Sequence, residues 1–207
     1  MNLIDKYFPG LSDTQRSQFM TMERLYPEWN ARINVISRKD IDNLEERHIL
    51  HSLSIAKFLT PVAGTTFLDL GTGGGFPAIP IAALWPDCHF HLIDRIAKKL
   101  RVAQEVAREC GLTNVSFQHG DSGECHDKFD FVISRAVMRL DELVRIVRPN
   151  ISCHLRNRLP NGLLCLKGGD IADESRGVSR PVIEVPLSDY FSETFFKTKL
   201  LIYVDMA

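Results

Sequence analysis

The sequence has no Cys-x-x-Cys pair, no apolar run long enough to span a membrane, and almost no net charge. Its five cysteines are odd in number and widely spaced, which argues against a zinc site or a disulfide framework. This cysteine usage predicts that the protein resides in a reducing compartment, the cytoplasm. The longest apolar runs fall well short of the roughly 18 to 20 residues of a membrane span. The first ten residues show no signal pattern. The formal net charge of -1 does not indicate a polyanionic partner, so any nucleic-acid site must come from local clustering.

The length and composition are typical of about one folded domain with an extension. The 207 residues are 44% apolar and 25% charged, which excludes a disordered chain or a fibrous repeat. Residues 1–60 are predicted to form a helical N-terminal extension. Ser12, with Gln15 three residues later, is typical of a capping box, and the helix that begins there is expected to end before Pro27. A second helix is predicted over residues 41–59.

Residues 61–207 are predicted to form an α/β domain with a mostly parallel, seven-stranded sheet. Apolar runs alternate there with helical patterns, which indicates right-handed β-α-β crossovers. A pair of strands near the end of the chain is expected to include an antiparallel one. The predicted strands are 66–70, 89–94, 115–119, 129–134, 163–167, 182–185 and 199–204, and the predicted helices are 77–85, 95–110, 135–147 and 150–159.

A glycine-rich loop follows the first predicted strand and precedes a helix that begins near Pro77. Glycines at Gly71, Gly73 and Gly75 let the backbone turn sharply and approach a ligand closely, and proline suits the first turn of a helix. Ligands of open α/β sheets bind at the carboxyl ends of the strands. The loop is therefore predicted to hold a cofactor, and a tight turn without a ligand is the alternative.

The residue pattern distinguishes between two classes of cofactor. A dinucleotide fingerprint requires glycine at position 76, where this chain has Phe76. The spacing Asp69-x-Gly71-x-Gly73-x-Gly75 instead resembles the first motif of class I S-adenosylmethionine-dependent methyltransferases. In such a site, Asp69 is predicted to orient the amino group of the cofactor, directly or through water.

Two more polar positions follow neighbouring strands. Asp94 ends the second predicted strand, where a carboxylate can accept the ribose hydroxyls; a cap for the following helix is the alternative. Ser122 and Gly123 follow the third strand, where the adenine is expected to lie, and a polar turn is the alternative there.

The end of the fourth predicted strand indicates the kind of methyl acceptor. It reads Ser134-Arg135, without the Asp/Asn-Pro-Pro-Tyr type of loop used on exocyclic amines and without the cysteine needed for pyrimidine carbons. Arginine has a pKa above about 12 and is not a usable base. The acceptor is therefore expected to be nucleophilic already, and a ring nitrogen such as guanine N7, which has no proton to lose, fits well. Alignment of this acceptor with the methyl carbon could supply most of the rate acceleration.

Basic residues are concentrated between residues 135 and 167, which contain seven arginines and lysines against two acidic residues. Arg135 and Lys167 each end a predicted parallel strand at the ligand edge, so both are candidate catalytic residues. Arg139 and Arg145 are predicted to bind RNA, because arginine pairs with phosphates and stacks on bases. A solvated helix face is the alternative for this basic stretch.

Taken together, these residues identify a specific resemblance. The chain resembles the bacterial 16S rRNA guanine-N7 methyltransferases, once called glucose-inhibited division protein B, over roughly residues 20–203. The run Gly-Thr-Gly-Gly-Gly-Phe-Pro at residues 71–77 is the most specific part of the match. The matching segments are 29–30, 34–37, 47–50, 52–53, 69–80, 133–136 and 166–168.

The resemblance implies cofactor contacts and a substrate. The implied substrate is guanine 527 of 16S rRNA, in the decoding region of the small ribosomal subunit. The implied cofactor contacts are Gly71, Phe76, Ser122, Gly123 and Arg135.

The chain departs from the family pattern at several positions. His51 stands where Asp is usual, Ala78 where Gly is usual, and residues 121–123 differ from the usual Arg-Ala-Glu. The family's Arg-His pair near the C-terminus is Thr198-Lys199 here, and Lys197 with Lys199 is expected to carry the charge for RNA binding.

The sequence therefore predicts an S-adenosylmethionine-dependent rRNA methyltransferase that works as a monomer in the cytoplasm. Its expected partner is 16S rRNA or an assembling small subunit, with no membrane and no metal. His48 and His51 lie three residues apart, but no third ligand accompanies them. Two alternatives remain: a methyltransferase for a small molecule or protein, and a nucleotide-binding module without turnover.

Overall fold

Seven strands form one sheet in the computed structural model, which describes residues 2–135 and 138–207. Their order across the sheet is β3-β2-β1-β4-β5-β7-β6. Strands β1 to β5 run parallel to one another, and β7 is antiparallel to both β5 and β6. This arrangement confirms the predicted seven-stranded, mostly parallel sheet. The strands are Thr66–Leu70 (β1), His89–Asp94 (β2), Val115–His119 (β3), Phe131–Arg135 (β4), Gly162–Gly168 (β5), Val182–Pro186 (β6) and Lys199–Asp205 (β7).

Helices cover both faces of the sheet and form the N-terminal region. The α-helices are Asn2–Tyr7 (α1), Asp13–Asn30 (α2), His51–Leu53 (α3), Ile55–Phe58 (α4), Ala78–Leu84 (α5), Ala97–Glu109 (α6), Leu140–Val147 (α7) and Ala172–Arg176 (α8). A π-helix, Glu45–Leu50, precedes α3. Short 3-10 turns lie at Ile41–Asn43, Ser122–Glu124, Arg148–Asn150, Leu187–Asp189 and Thr194–Thr198. In residues 2–135 and 138–207, no helix is both long and apolar enough to cross a membrane.

The capping box at the start of α2 forms as predicted, but the helix ends later than expected. The Ser12 hydroxyl accepts the Gln15 N–H, and the Gln15 side chain accepts the Ser12 N–H. The prediction that the helix ends before Pro27 is wrong, because α2 continues to Asn30. Proline removes one backbone donor, but contacts on both sides of Pro27 keep the chain helical. Tyr26, just before it, is fully buried, and the Pro27 carbonyl accepts the Ala31 N–H at 3.1 Å.

The helix predicted over residues 150–159 is also wrong. Asn150 ends a 3-10 turn, and Ile151 then pairs with Phe129 in an isolated parallel bridge. The Asn161 side-chain amide donates to the carbonyls of Ser152 and His154, at 2.9 Å each. Backbone groups that a helix would use are thus taken by the bridge to Phe129 and by the Asn161 side chain.

The N-terminal region shares its core with the sheet. Alternate residues of each strand point to opposite faces, and on one face the rings of Phe90 and Phe131 lie 4.8 and 5.6 Å from that of Phe67. Tyr26 of α2 and Leu50 of the π-helix are buried in the same apolar cluster. Because this shared cluster removes apolar side chains from water, it stabilises the packing of the N-terminal region against the sheet.

Candidate functional site

A cavity of about 540 Å³ opens at the carboxyl ends of β1, β2 and β4. This is the edge where open α/β sheets bind ligands. The N-terminal region contributes to it through Val35. The cavity is lined by Val35, Leu70, Gly71, Thr72, Gly73, Gly74, Phe76, Ile93, Asp94, Arg95, Ile96, Lys99, Gly120, Asp121, Ser122, Arg135, Met138 and Ile146.

The glycines of the loop after β1 have different structural roles. Gly71, Gly73 and Gly75 all adopt positive φ angles, of 70°, 57° and 102°. Gly71 and Gly73 line the cavity, and no described atom lies within 4 Å of the place where a Cβ on Gly73 would be. A Cβ on Gly75 would lie 2.5 Å from Ile79 Cγ1, so this glycine serves the packing of the loop on α5. Gly73 is therefore the position where the backbone stays open for a ligand.

Asp69 lies fully buried beneath the loop. Its Oδ2 accepts the Thr72 hydroxyl at 2.6 Å and the Ala78 N–H at 3.1 Å. Its Oδ1 is buried without a hydrogen-bond partner among the described residues. Burial raises the pKa of this carboxyl to about 7. One oxygen thus organises the loop, while the other lacks a partner in the described part of the chain, and Asp69 itself does not belong to the cavity lining.

Asp94 makes the contact before α6 that the capping alternative predicted, and its position at the cavity leaves ribose binding as a prediction. Its carboxylate accepts the Ile96 N–H at 2.8 Å, just before α6, and the Gly73 N–H at 2.7 Å. It also lines the cavity, and each carboxylate oxygen can accept more than one hydrogen bond. Ser122 lines the cavity as well, whereas Gly123 does not belong to its lining.

Arg135 ends β4 at the rim of the cavity. Its guanidinium carbon lies 4.9 Å from the centre of the Phe76 ring, and its Nη2 lies 3.0 Å from His48 Nδ1. Burial lowers the pKa of Arg135 to about 10, so the group stays protonated at neutral pH. Arg135 is therefore a fixed cation at the cavity rather than a base. The adjoining Ala136 of the sequence motif lies outside the described residues.

Lys167 is placed differently from its predicted position facing a substrate. Its ammonium donates to the Met138 carbonyl at 2.5 Å and to Glu174 at 2.6 Å, and Lys167 does not line the cavity. Glu174 also accepts the Leu140 N–H at the start of α7. These contacts hold Met138, which does line the cavity, so Lys167 adjoins the cavity through Met138.

The predicted RNA-binding residues fall into two surface groups. Arg139 and Arg145 lie with Arg148 around a depression of about 550 Å³ beside α7. Arg139 pairs with Asp141 at 3.2 Å, while Arg145 and Arg148 make no ion pair with any described residue.

In the second group, Lys197 is exposed and Lys199 lies 4.9 Å from the centre of the Phe195 ring. Arg47 stacks on the same ring at 5.6 Å. The basic side chains of the two surface groups thus come from different elements. The first group lies on and beside α7, and the second lies at the start of β7 next to the N-terminal region.

Sequence reasoning missed the part that the N-terminal region plays in the site. Asn30 accepts the N–H groups of Val35 and Ile36 at 2.9 Å each, which holds Val35 over Gly74 at the cavity. From the sequence, His48 was considered as a possible metal ligand, yet it contacts Arg135. The family segments 29–30, 34–37 and 47–50 were the available signal, although nothing in them indicates what they contact.

The two histidines of the N-terminal region do not form a metal site with neighbouring ligands. Among the residues that the structure describes, no group of three His, Cys, Asp or Glu side chains could hold a metal ion. His51 packs edge-on to the rings of Phe195 and Phe196, at 5.4 and 6.2 Å. Burial lowers the pKa of His51 well below its usual range, so its ring is neutral.

Known proteins resemble the chain along its whole length. The model of one protein family, described as rRNA small subunit methyltransferase G, matches residues 15–183. A protein of Phocaeicola vulgatus named ribosomal RNA small subunit methyltransferase G is 52% identical over 207 residues, covering 100% of this chain and 99% of that protein. A protein of Bacteroides fragilis with the same name is 53% identical over 204 residues, covering 99% of each chain.

Solved structures of more distant proteins share the fold. A SAM-dependent methyltransferase from Aquifex aeolicus matches with a TM-score of 0.56 at 16% identity, over 83% of this chain and 100% of that one. Aeropyrum pernix fibrillarin, solved with S-adenosyl-L-methionine bound, matches with a TM-score of 0.54 at 15% identity, over 76% and 74% of the two chains. The predicted class I methyltransferase fold is confirmed.

Proposed function

The chain belongs to the rRNA small subunit methyltransferase G family, and from this membership we propose that it methylates N7 of guanine 527 in 16S rRNA with S-adenosylmethionine. The observation that carries the proposal is the cavity at the carboxyl edge of the sheet, which is lined by the open glycine loop and by Asp94, with Asp69 buried beneath the loop. The expected setting is a monomer in the cytoplasm that acts on 16S rRNA or an assembling small subunit.

Residues in and next to the cavity fit the three parts of S-adenosylmethionine. The free Oδ1 of Asp69 would accept from its ammonium group, directly or through water. Asp94 would accept the ribose hydroxyls, and Ser122 would lie beside the adenine. Gly123 is outside the cavity lining and would contribute by holding Ser122 in place. Gly73 leaves its backbone open for close approach. When bound, the cofactor supplies an electrophilic methyl carbon on a positively charged sulfur.

The chemistry of the acceptor agrees with a protonated arginine, rather than a base, at the end of β4. Methylation at N7 uses a lone pair in the plane of the base and releases no proton. Positive charge moves from sulfur to the base, so the rim residues need only orient the acceptor. Arg135 remains protonated and can donate to an acceptor such as guanine O6 or a phosphate. Lys167 serves by holding the Met138 carbonyl.

RNA contacts are proposed at both surface groups described above. Arg139, Arg145, Lys197 and Lys199 would bind phosphates, and Arg145 is more available than Arg139, which pairs with Asp141. Ile146, next to Arg145 on α7, lines the cofactor cavity. A phosphate held at α7 would therefore bring the RNA close to the methyl donor.

Methyl transfer to RNA tests the function directly. Labelled S-adenosylmethionine should transfer its methyl group to 16S rRNA or to small subunits from cells that lack this methylation, and mapping should place the label on guanine 527. Substrate with adenine at 527 is the matched control and should stay unlabelled. Label in a protein or small-molecule fraction instead, or cofactor binding without any transfer, would favour the alternative functions.

Reversing Arg139 and Arg145 together to glutamate is expected to weaken RNA affinity by about tenfold or more. The physical reason is the loss of phosphate contacts, which should also make the affinity less dependent on salt. Filter binding over a range of salt concentrations measures both effects, and calorimetry should show unchanged S-adenosylmethionine affinity. The control is Arg24→Glu with Arg108→Glu, which changes the net charge equally at exposed arginines outside both groups. Equal losses in the two double variants would contradict a local footprint.

A further inference from the structure

The π-helix of the N-terminal region brings a side chain to the cavity rim. π-Helical turns are rare and occur frequently at functional sites. This one, Glu45–Leu50, is anchored in the core by Ile49 and Leu50, both fully buried. At its start, Glu45 accepts the N–H groups of Leu3 and Ile4, at 2.9 and 3.2 Å. The turn is thus held at both ends, and His48 lies between these anchors.

His48, Arg135 and Phe76 form one contact cluster. The Arg135 Nη2 lies 3.0 Å from His48 Nδ1, and the His48 ring meets the Phe76 ring edge-on at 5.4 Å. Guanidinium nitrogens only donate, so Nδ1 must be the acceptor and the ring proton must lie on Nε2. Burial, with the Arg135 charge as a second cause, lowers the pKa of His48 to about 3. The imidazole therefore remains a neutral acceptor throughout the physiological pH range.

We propose that His48 is a positioning residue, which holds the Arg135 guanidinium over Phe76 so that its remaining N–H groups serve the cofactor and its methyl acceptor. The proposal deepens the methyltransferase function and rests on it. It makes the N-terminal extension a working part of the site rather than an appendage to the fold.

The need for such a residue follows from the other contacts of Arg135. In residues 2–135 and 138–207, no carboxylate makes an ion pair with its guanidinium. An arginine side chain has about 2 kcal/mol of rotamer entropy, which opposes a single geometry. The contact with the Phe76 ring, at 4.9 Å from its centre, has no hydrogen-bond direction and does not set the rotation of the guanidinium. The hydrogen bond to His48 Nδ1 supplies this directional restraint.

Two substitutions of His48 separate positioning from packing. His48→Phe keeps a ring against Phe76 but has no acceptor. His48→Asn loses the ring, yet its Oδ1 can take the place of Nδ1 and accept from Arg135. A residue that only packs should tolerate Phe better than Asn, whereas a positioning residue should show the opposite order.

The experiment measures S-adenosylmethionine affinity by calorimetry, methyl transfer to 16S rRNA, and thermal melting for both variants. His48→Phe is expected to lower the affinity, the transfer rate or both by about tenfold or more, as expected for a lost charge-assisted hydrogen bond. Its melting temperature should stay close to that of the unchanged protein. His48→Asn should recover most of the loss.

A double-mutant cycle with Arg135→Ala tests whether His48 acts through Arg135. Because a positioning residue has nothing left to position in that background, adding His48→Phe should cause no further loss. Additive losses, equal losses in the Phe and Asn variants, or unchanged affinity and rate in His48→Phe would each overturn the proposal. If the unchanged protein transfers no methyl group to 16S rRNA, the proposed function fails, and the affinity cycle alone still decides the role of His48.

Discussion

Asp69→Asn is expected to raise the melting temperature of the ligand-free protein at pH 8 and to weaken its binding of S-adenosylmethionine. The pKa of the buried carboxyl is about 7, against an ordinary value of 3.8. As the pH rises, the carboxyl of Asp69 therefore loses its proton at a lower pH in the unfolded chain than in the folded one. The folded state loses stability between about pH 4 and about pH 7 as a result. Above pH 7 the cost levels off at about 4 kcal/mol, at 1.36 kcal/mol per pKa unit.

Asparagine cannot ionise, so the variant avoids this cost while its side-chain oxygen still accepts from Thr72 and Ala78. The gap in melting temperature between variant and unchanged protein should widen from pH 5 to pH 7 and then stay constant. Calorimetry should show at least tenfold weaker cofactor binding, because a neutral amide replaces the carboxylate proposed to meet the ammonium group. Melting curves and titrations across this pH range measure both effects.

Asp130→Asn is the matched control for a buried carboxyl away from the cavity. Asp130 accepts the Thr66 N–H at 2.9 Å and pairs with Arg156 at 3.2 Å. Its substitution should lower the melting temperature and leave cofactor affinity unchanged. If Asp69→Asn destabilises the ligand-free protein at pH 8 in the same way, Asp69 is a structural hydrogen-bond acceptor and the proposed ammonium contact is wrong.

Gly73→Ala is expected to weaken cofactor binding by at least tenfold while the protein stays folded. Gly73 has a φ of 57° and lines the cavity. The methyl group of an alanine there would lie in open space, with no described atom of another part of the chain within 4 Å. The cost to the fold is the left-handed backbone conformation, about 1 to 2 kcal/mol. The cost to binding is added bulk where the backbone must approach the ligand.

Gly111→Ala provides the matched comparison, because Gly111 has a φ of 65° and equally open surroundings at the end of α6. Both variants should melt at similar temperatures, and only Gly73→Ala should lose affinity in a calorimetric titration. Gly75→Ala should instead destabilise the fold, since its methyl group would lie 2.5 Å from Ile79 Cγ1. Unchanged affinity in a folded Gly73→Ala protein would exclude the glycine loop as the binding site.

Local patterns in the sequence were sufficient for the sheet and the cofactor loop. The strands from Thr66–Leu70 to Lys199–Asp205 lie within two residues of their predicted bounds, because apolar runs bounded by turn residues reflect burial in a parallel sheet. The capping box at Ser12 formed because both of its partners lie within one turn. The cavity lies at the glycine loop, as predicted, because ligand clefts of open α/β sheets lie at the carboxyl ends of the parallel strands.

Contacts between residues far apart in sequence were decided only by the tertiary structure. Arg135 meets His48 across 87 positions, and Lys167 donates to the Met138 carbonyl across 29 positions rather than facing a substrate. At residues 150–159, the parallel bridge between Ile151 and Phe129 likewise stands where a helix was predicted. A sequence pattern predicts which side chains reach the ligand edge. Which partner each of them finds there depends on packing among elements whose separation in the chain leaves no local signal.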